Sequence, residues 1–556
     1  MPVIISNALS MMFRPARRTP MGARIPSRNS NASHAALELV ELRPRDLPGD
    51  SVLDQAIQLH EAGNLPGAEA LYRRLLLQDG RDVRAMHLLA ILCAQTGRQA
   101  EALEWIKRAL TLAPDFAPAW STFGNLLSER AQWKEALAAH DKAIALGFVE
   151  VWSYINRGKA LGSLNRPHAA LESFDAALAL EPDNAEALSD RGVVLMALGR
   201  PAEALDSYER ALARQPVAAT FSNHANALQE LMRPQEALQS FERALALNPD
   251  RAETHWNKAL CLLRGGRLPE GLALYEWRKK RAVWNRPGHS ASPEWTGAEN
   301  LEGRTLLIQA EQGLGDTIQF CRYAALAKAR GAHVILSVQD ALVRLLQGLP
   351  VSVCGAADLP AADFHIPLMS MPLAMGTTLA TVPADTPYLF AEPERVAHWQ
   401  SRIGSQGFRI GVCWLGAAGI ETSRHFTAER LAPLARLPGV RLINLQKGLA
   451  PPVAGIEYLG DDFDSGPHAF LDSAAAIQSL DLVVTVDTAL AHLAGALGAP
   501  TWVALKRLAD WRWFQDRDDS PWYPGMRLFR QSAPGDWDSV MSQIETALTR
   551  EHLSGR

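Results

Sequence analysis

Two stretches carry residue types at spacings that could do chemistry. In residues 309–320, QAEQGLGDTIQF, an acid stands behind a Gly-Leu-Gly turn: Gly313, Gly315, then Asp316. Glycines at a strand-to-helix turn let backbone approach a ligand, and the first helical N–H groups point outward. The helix dipole favours an ionised Asp there, and an ionised carboxylate at the mouth of a cleft can take the proton of an attacking hydroxyl. A helix-capping Asp is the competing reading. The stretch is no P-loop, since no Gly-Lys-Ser/Thr follows, and Ile318 occupies the third glycine position of a dinucleotide loop. In residues 479–505, SLDLVVTVDTALAHLAGALGAPTWVAL, Asp487 and Thr488 end an apolar run, a helix starts at about Ala489, and His492 lies one turn in. A hydroxyl beside free helix N–H groups suits a diphosphate. An N-cap and a satisfied helix histidine are the structural alternatives.

Such corners need strands to hold them. From residue 304 short apolar runs alternate with helix-length segments: RTLLIQAE, HVILSV, VSVCG and DFHIPL, then FRIGVCWLG, VRLINLQ, IEYLG, DLVVTV and TWVAL. This texture predicts parallel sheets covered on both faces. The two sets predict two Rossmann-like lobes, 301–392 and 393–556, with ligands in the crevice outside the carboxyl ends of the strands.

Upstream the chain repeats itself. A small residue recurs at Ala56, Ala90, Gly124, Gly158, Gly192, Ala225 and Ala259, 33 or 34 residues apart. A second signature recurs at Ala102/Ile106/Ala109, Ala170/Phe174/Ala177, Ala204/Tyr208/Ala211 and Ala237/Phe241/Ala244, and Pro114, Pro182, Pro216 and Pro249 mark the exits. This pattern resembles the tetratricopeptide repeat, with seven units over residues 49–285. In each unit small residues let two antiparallel helices approach, larger side chains fill the gap, and stacked units leave a concave binding groove. Asn156, Asp190, Asn223 and Asn257 occupy one inner-helix position and resemble the asparagine ladder of the O-GlcNAc transferase superhelix, a peptide groove; Leu88 and Thr122 interrupt it, and Asn is common in the repeat anyway. Lys279, Lys280 and Arg281 read as a solvated cap, and residues 286–300 as a Gly/Pro/Ser linker.

Composition excludes several classes. A formal charge of -4 and 21% charged residues give no basic field for nucleic acid. Five scattered cysteines form no C-x-x-C pair, which argues against a disulfide framework or zinc site and suits a reducing cytoplasm. No apolar run is long enough to span a bilayer. Residues 1–48 begin with an acid-free, Arg-rich segment that reads as a disordered tail, with a transit peptide or a start at Met11, Met12 or Met21 as alternatives.

The pairing of GLGD with DTALAHLAGALGAP resembles glycosyltransferase family 9, the heptosyltransferase-like group, over about residues 301–540. The expected fold is therefore an all-α tetratricopeptide superhelix followed by an α/β GT-B domain. The resemblance implies an inverting, metal-independent enzyme whose C-terminal lobe holds a nucleotide-diphosphate sugar, with no cofactor. It implies Asp316 as general base and Asp487, Thr488, Ala489 and His492 at the diphosphate and sugar, Ala489 replacing the family's usual glycine. GVCWLG (411–416), SRHF (423–426), NLQKG (444–448) and residues 510–531 match the repeat-fused branch. Arg424 or Lys447 could neutralise the leaving phosphate; either could equally be a surface charge. Trp511, Trp513, Trp522 and Tyr523 are sugar-stacking or core residues, Arg512 a candidate partner for a phosphate or an acid, and Asp516 and Asp518 solvated acids. The expected acceptor is a protein hydroxyl recruited by the repeats. The alternatives are a heptosyltransferase-like step on lipopolysaccharide or another glycan, and a non-catalytic scaffold.

Overall fold

The computed structural model describes residues 51–284, 292–357, 359–416 and 422–553. The expected N-terminal tail and residues 286–291 of the expected linker lie outside the described residues. The chain divides into two compact units that meet between Ala227 and Leu228.

The first unit is built of helical hairpins, from Ser51–Glu61 with Leu65–Gln78 to Ala185–Ala197 with Pro201–Arg214. Their pairing follows from steric fit. A methyl on Gly192 would lie 2.4 Å from the Tyr208 ring, on Gly158 2.7 Å from Phe174, and on Gly124 2.5 Å from His140. The aromatic ring of the second helix therefore occupies the space the glycine leaves. The hairpin turns share one left-handed residue, at Gly63, Gly97, Ala131, Asn165 and Gly199, with φ between 57° and 81°. Gly and Asn suit that conformation, whereas Ala131 adopts it against the steric preference of its Cβ. Arg157 bridges its hairpin to the preceding one by pairing with Asp141 at 2.6 Å and donating to Ser173 Oγ, and Arg191 repeats this with Asp175 and Ser207.

The second unit carries the last hairpins, Pro234–Leu247, Ala252–Arg264 and Leu268–Tyr275, together with both sheets. The sequence period runs to residue 285, yet packing joins these hairpins to the sheets: Leu263, Leu268, Leu272 and Tyr275 share one buried apolar core with Leu306, Ile318 and Trp511.

The four-stranded sheet has the order β3-β2-β1-β4, with β1 Thr305–Gln309, β2 His333–Ser337, β3 Ser352–Cys354 and β4 Phe364–Pro367, all parallel. The six-stranded sheet has the order β10-β9-β8-β5-β6-β7 and is also all parallel; its strands are β5 Phe408–Cys413, β6 Val440–Asn444, β7 Ile456–Glu457, β8 Leu482–Val486, β9 Thr501–Leu505 and β10 Met526–Arg530. Counted from β5, that is the 3-2-1-4-5-6 order of a doubly wound sheet. The order reverses between β1 and β4 in one sheet and between β5 and β8 in the other. β1, β5 and β8 therefore deliver their following loops to the switch points, where such sheets bind ligands.

Candidate functional site

The loop after β1 carries Gly313 and leads into the helix Leu314–Phe320; the loop after β8 carries Asp487 and Thr488 and leads into the helix Ala489–Ala496. These two corners pack directly on each other. A methyl on Gly315 would lie 3.1 Å from Ala489 Cα, 3.2 Å from His492 Cδ2 and 3.4 Å from Ala489 Cβ. Gly315 therefore leaves the room that Ala489 takes.

Asp316 caps the helix start and pairs with a cation. Its Oδ2 accepts the Gly313 N–H at 2.9 Å, capping the helix, while Oδ1 accepts from Arg512 Nη2 at 2.5 Å. The carboxylate keeps 24% of its surface exposed, and Arg512 keeps 8%. Burial pushes the Asp316 carboxyl above the ordinary value despite the pull of Arg512. Arg512 Nη1 also bonds Asp510 Oδ1 at 2.8 Å. Against the cost of burial, Arg512 and Arg424 hold the Asp510 carboxyl well below the usual carboxylate range.

On the β8 corner, Asp487 is 11% exposed and pairs with Arg424 Nη1 at 3.1 Å; burial raises its carboxyl, opposed by Arg424. Thr488 makes no side-chain cap to the helix it precedes, and its Oγ1 lies 3.4 Å from Thr485 Oγ1. The β5 loop closes the same corner: Gly416 donates its N–H to His425 Nε2 at 3.0 Å, and a methyl there would lie 3.6 Å from Thr488 Cγ2. His492 is 5% exposed, stacks on Trp513 at 5.1 Å, and lies 3.1 Å through Nδ1 from Tyr523 Oη. Burial, reinforced by Arg512, pushes its imidazole down to about 3, so the ring is neutral. The indole N–H of Trp511 and Nε of Arg512 are buried without a hydrogen-bond partner among the described residues. The corner thus combines three carboxylates, two guanidinium groups and unused buried donors.

Gly313, Gly315, Asp316, Asp487, Thr488, Ala489, His492 and Arg424 all converge here. Lys447 does not join them among the described residues: it is exposed on the turn after β6, although its neighbour Gln446 ties that turn to the β5 loop by accepting the Leu415 N–H at 3.1 Å. Trp511, Trp513, Trp522 and Tyr523 are all buried, the packing role rather than an open stacking platform, while Asp516 and Asp518 are exposed. Lys279 pairs with Glu276 and Glu294, and Arg281 with Glu253. In the repeat units the ladder residues Asn156, Asp190, Asn223 and Asn257 are half-buried. Asn156 donates to Asn125 Oδ1 at 2.8 Å, and Asp190 lies 3.6 Å from Lys159, which also pairs with Glu186. Burial, tempered by Lys159, raises the Asp190 carboxyl to about 6.

Sequence reasoning missed Asp510, His425 and Glu311. A buried acid in an otherwise apolar or aromatic run, as in Ala509-Asp510-Trp511, was the available signal, since such an acid needs a cation nearby. No described helix is long and apolar enough to cross a membrane.

The chain is similar to Protein FlbA of Caulobacter vibrioides (strain ATCC 19089 / CIP 103742 / CB 15), 28% identical over 561 residues that cover 93% of each chain. Among solved structures it is similar to YrrB, described as a tetratricopeptide repeat protein with an unusual peptide-binding site, at 23% identity and a TM-score of 0.30 over 33% of this chain and 95% of that one. It is also similar to PilF of Pseudomonas aeruginosa, at 17% identity and a TM-score of 0.35 over 41% of this chain and 99% of that one. Residues 53–115, 155–219 and 222–279 match the tetratricopeptide repeat family, so these parts of the chain are tetratricopeptide repeats, which are protein-interaction modules.

Proposed function

We propose that the second unit is a glycosyltransferase of GT-B type that moves a sugar from a nucleotide diphosphate to a hydroxyl of a protein brought in by the repeats. The observation that carries this reading is the meeting of the two corners, with Gly315 seated on Ala489 and Asp316 paired to Arg512 from the opposite sheet. In the proposed step the acceptor oxygen bonds to the anomeric carbon while the bond from that carbon to the diphosphate oxygen breaks, its electron pair leaving on phosphate. The hydroxyl proton passes to Asp316. Attack opposite the departing group inverts the anomeric centre.

A carboxyl raised by burial is closer in proton affinity to what a base at neutral pH requires. The uncapped start of the Ala489–Ala496 helix and the Thr488 hydroxyl suit a diphosphate. Arg424 and Arg512 supply fixed positive charge where the leaving group becomes more negative. His492, being neutral, serves as a hydrogen-bonding group rather than a counter-ion. The tetratricopeptide repeats in the same chain support a protein acceptor.

The test is calorimetric titration of the full chain with a panel of nucleotide-diphosphate sugars and free nucleotide diphosphates. At least one should bind, and Arg424→Gln should weaken it about 10-fold or more, in line with a charge-assisted contact of roughly 1.5–3 kcal/mol. Absence of binding across the panel would remove the reading.

A further inference from the structure

We propose that the last helical hairpin is a brace built into the reaction centre, with Arg278 as the positioning residue that fixes the Asp316 loop. This rests on Asp316 being the base, but its structural content stands separately. Just beyond the Leu268–Tyr275 helix, Arg278 is 2% exposed and grips Glu311, whose side chain is fully buried, through Nη2 at 2.6 Å and Nε at 3.2 Å. The Glu311 carboxylate also accepts Trp284 Nε1 at 2.8 Å and the Met369 N–H at 3.2 Å. Four donors on one carboxylate leave the backbone at 311 little freedom, and Gly313, two residues on, donates the N–H that orients Asp316.

A second strut runs in parallel. Tyr275 Oη accepts from Gln312 Nε2 at 3.1 Å, and Gln339 Nε2 donates to the Gln312 carbonyl at 2.8 Å. The same hairpin reaches the loop that holds the other half of the ion pair: Arg264 Nε donates to the Ala509 carbonyl at 3.0 Å, and the Tyr275 ring lies 6.0 Å from that of Trp511. Asp510 and Arg512 flank those contacts. One hairpin therefore reaches both the loop that carries Asp316 and the loop that carries Arg512. A displacement of about 1 Å at a reacting group is enough to lower a rate on the order of 10²-fold.

The experiment uses the full chain with Arg278→Lys, which keeps a cation for Glu311 while losing the fork, and Tyr275→Phe, which loses one hydroxyl. The expected result is a kcat lowered about 10-fold by Arg278→Lys and about 3-fold by Tyr275→Phe, with donor Kd changed less than 2-fold. Amide exchange of residues 313–317 should accelerate at least 5-fold in both variants, while exchange in β5 and β8 stays at the wild-type rate. Unchanged exchange at 313–317 in folded Arg278→Lys would overturn the brace whether or not the wild type turns over a sugar donor. So would a loss confined to donor Kd. Wild-type inactivity towards every donor would defeat the proposed function alone, leaving the exchange result to decide the brace.

Discussion

Substituting Gly315 by alanine probes the meeting of the two corners directly. The new methyl would sit 3.1 Å from Ala489 Cα, 3.2 Å from His492 Cδ2 and 3.4 Å from Ala489 Cβ. Carbon atoms prefer about 3.5–4.0 Å, so the nearest contact is short by roughly half an ångström. The neighbour is helix backbone from the other sheet, which no rotamer change can move, and His492 is held by Trp513 and Tyr523. Overpacking of this kind costs about 1–3 kcal/mol, which for a unit of this size corresponds to about 1.5–4.5 °C in Tm. Ala489→Gly removes the 3.4 Å contact but not the 3.1 Å one, so the double variant should recover part of the loss. Residues in contact give such non-additivity, of about 0.5–3 kcal/mol. Differential scanning calorimetry of the four proteins measures it. A Tm for Gly315→Ala within 1 °C of wild type, or strict additivity with Ala489→Gly, would refute the packing.

Other predictions follow from single contacts. Gly192→Ala brings a methyl to 2.4 Å from Tyr208 and should destabilise the first unit by about 1–3 kcal/mol in urea melts. Ala131→Gly, at φ 58°, should instead stabilise it by about 0.5–1 kcal/mol, because glycine meets no Cβ clash there. Activity should fall on the acid side as Asp316 protonates, with a midpoint above the ordinary 3.8, and His492, titrating at about 3, should contribute no limb near 6.5; a kcat/KM profile against pH checks both. Asp510, held low in the folded chain, stabilises it above the ordinary carboxylate range and loses that contribution as pH falls through its folded value. Asp510→Asn should therefore flatten the acid limb of a stability–pH curve.

Much of this architecture was legible as pattern. Periodicity located the hairpins because one steric relation, a small residue against a bulky side chain, recurs every 33 or 34 residues. Nine apolar runs marked β1 to β9, but β10 escaped: Arg527 and Arg530 interrupt the run Met526–Arg530, and each has a tertiary partner, Arg527 with Glu551 and Arg530 with the Arg517 carbonyl. At the site, Asp316 and Asp487 were visible because glycine and helix-start signals surround them. Their counter-charges were less so. Arg512 is 196 residues from Asp316 in sequence, and their pair forms where the loop after β9 meets the loop after β1; Arg424 is 63 from Asp487, and theirs forms where the segments after the neighbouring strands β5 and β8 of one sheet meet. The last hairpin's attachment to the sheets was invisible for the same reason, since its contacts through Arg278 and Arg264 are side-chain contacts across long separations.

The most direct test of the central claim compares wild type and Asp316→Asn for turnover of a nucleotide-diphosphate sugar and for binding it. The nearly isosteric amide can still accept the Gly313 N–H but cannot take a proton. The account predicts a donor Kd within about 3-fold of wild type and a kcat lowered on the order of 10²–10⁴-fold. Wild-type turnover in Asp316→Asn would contradict it.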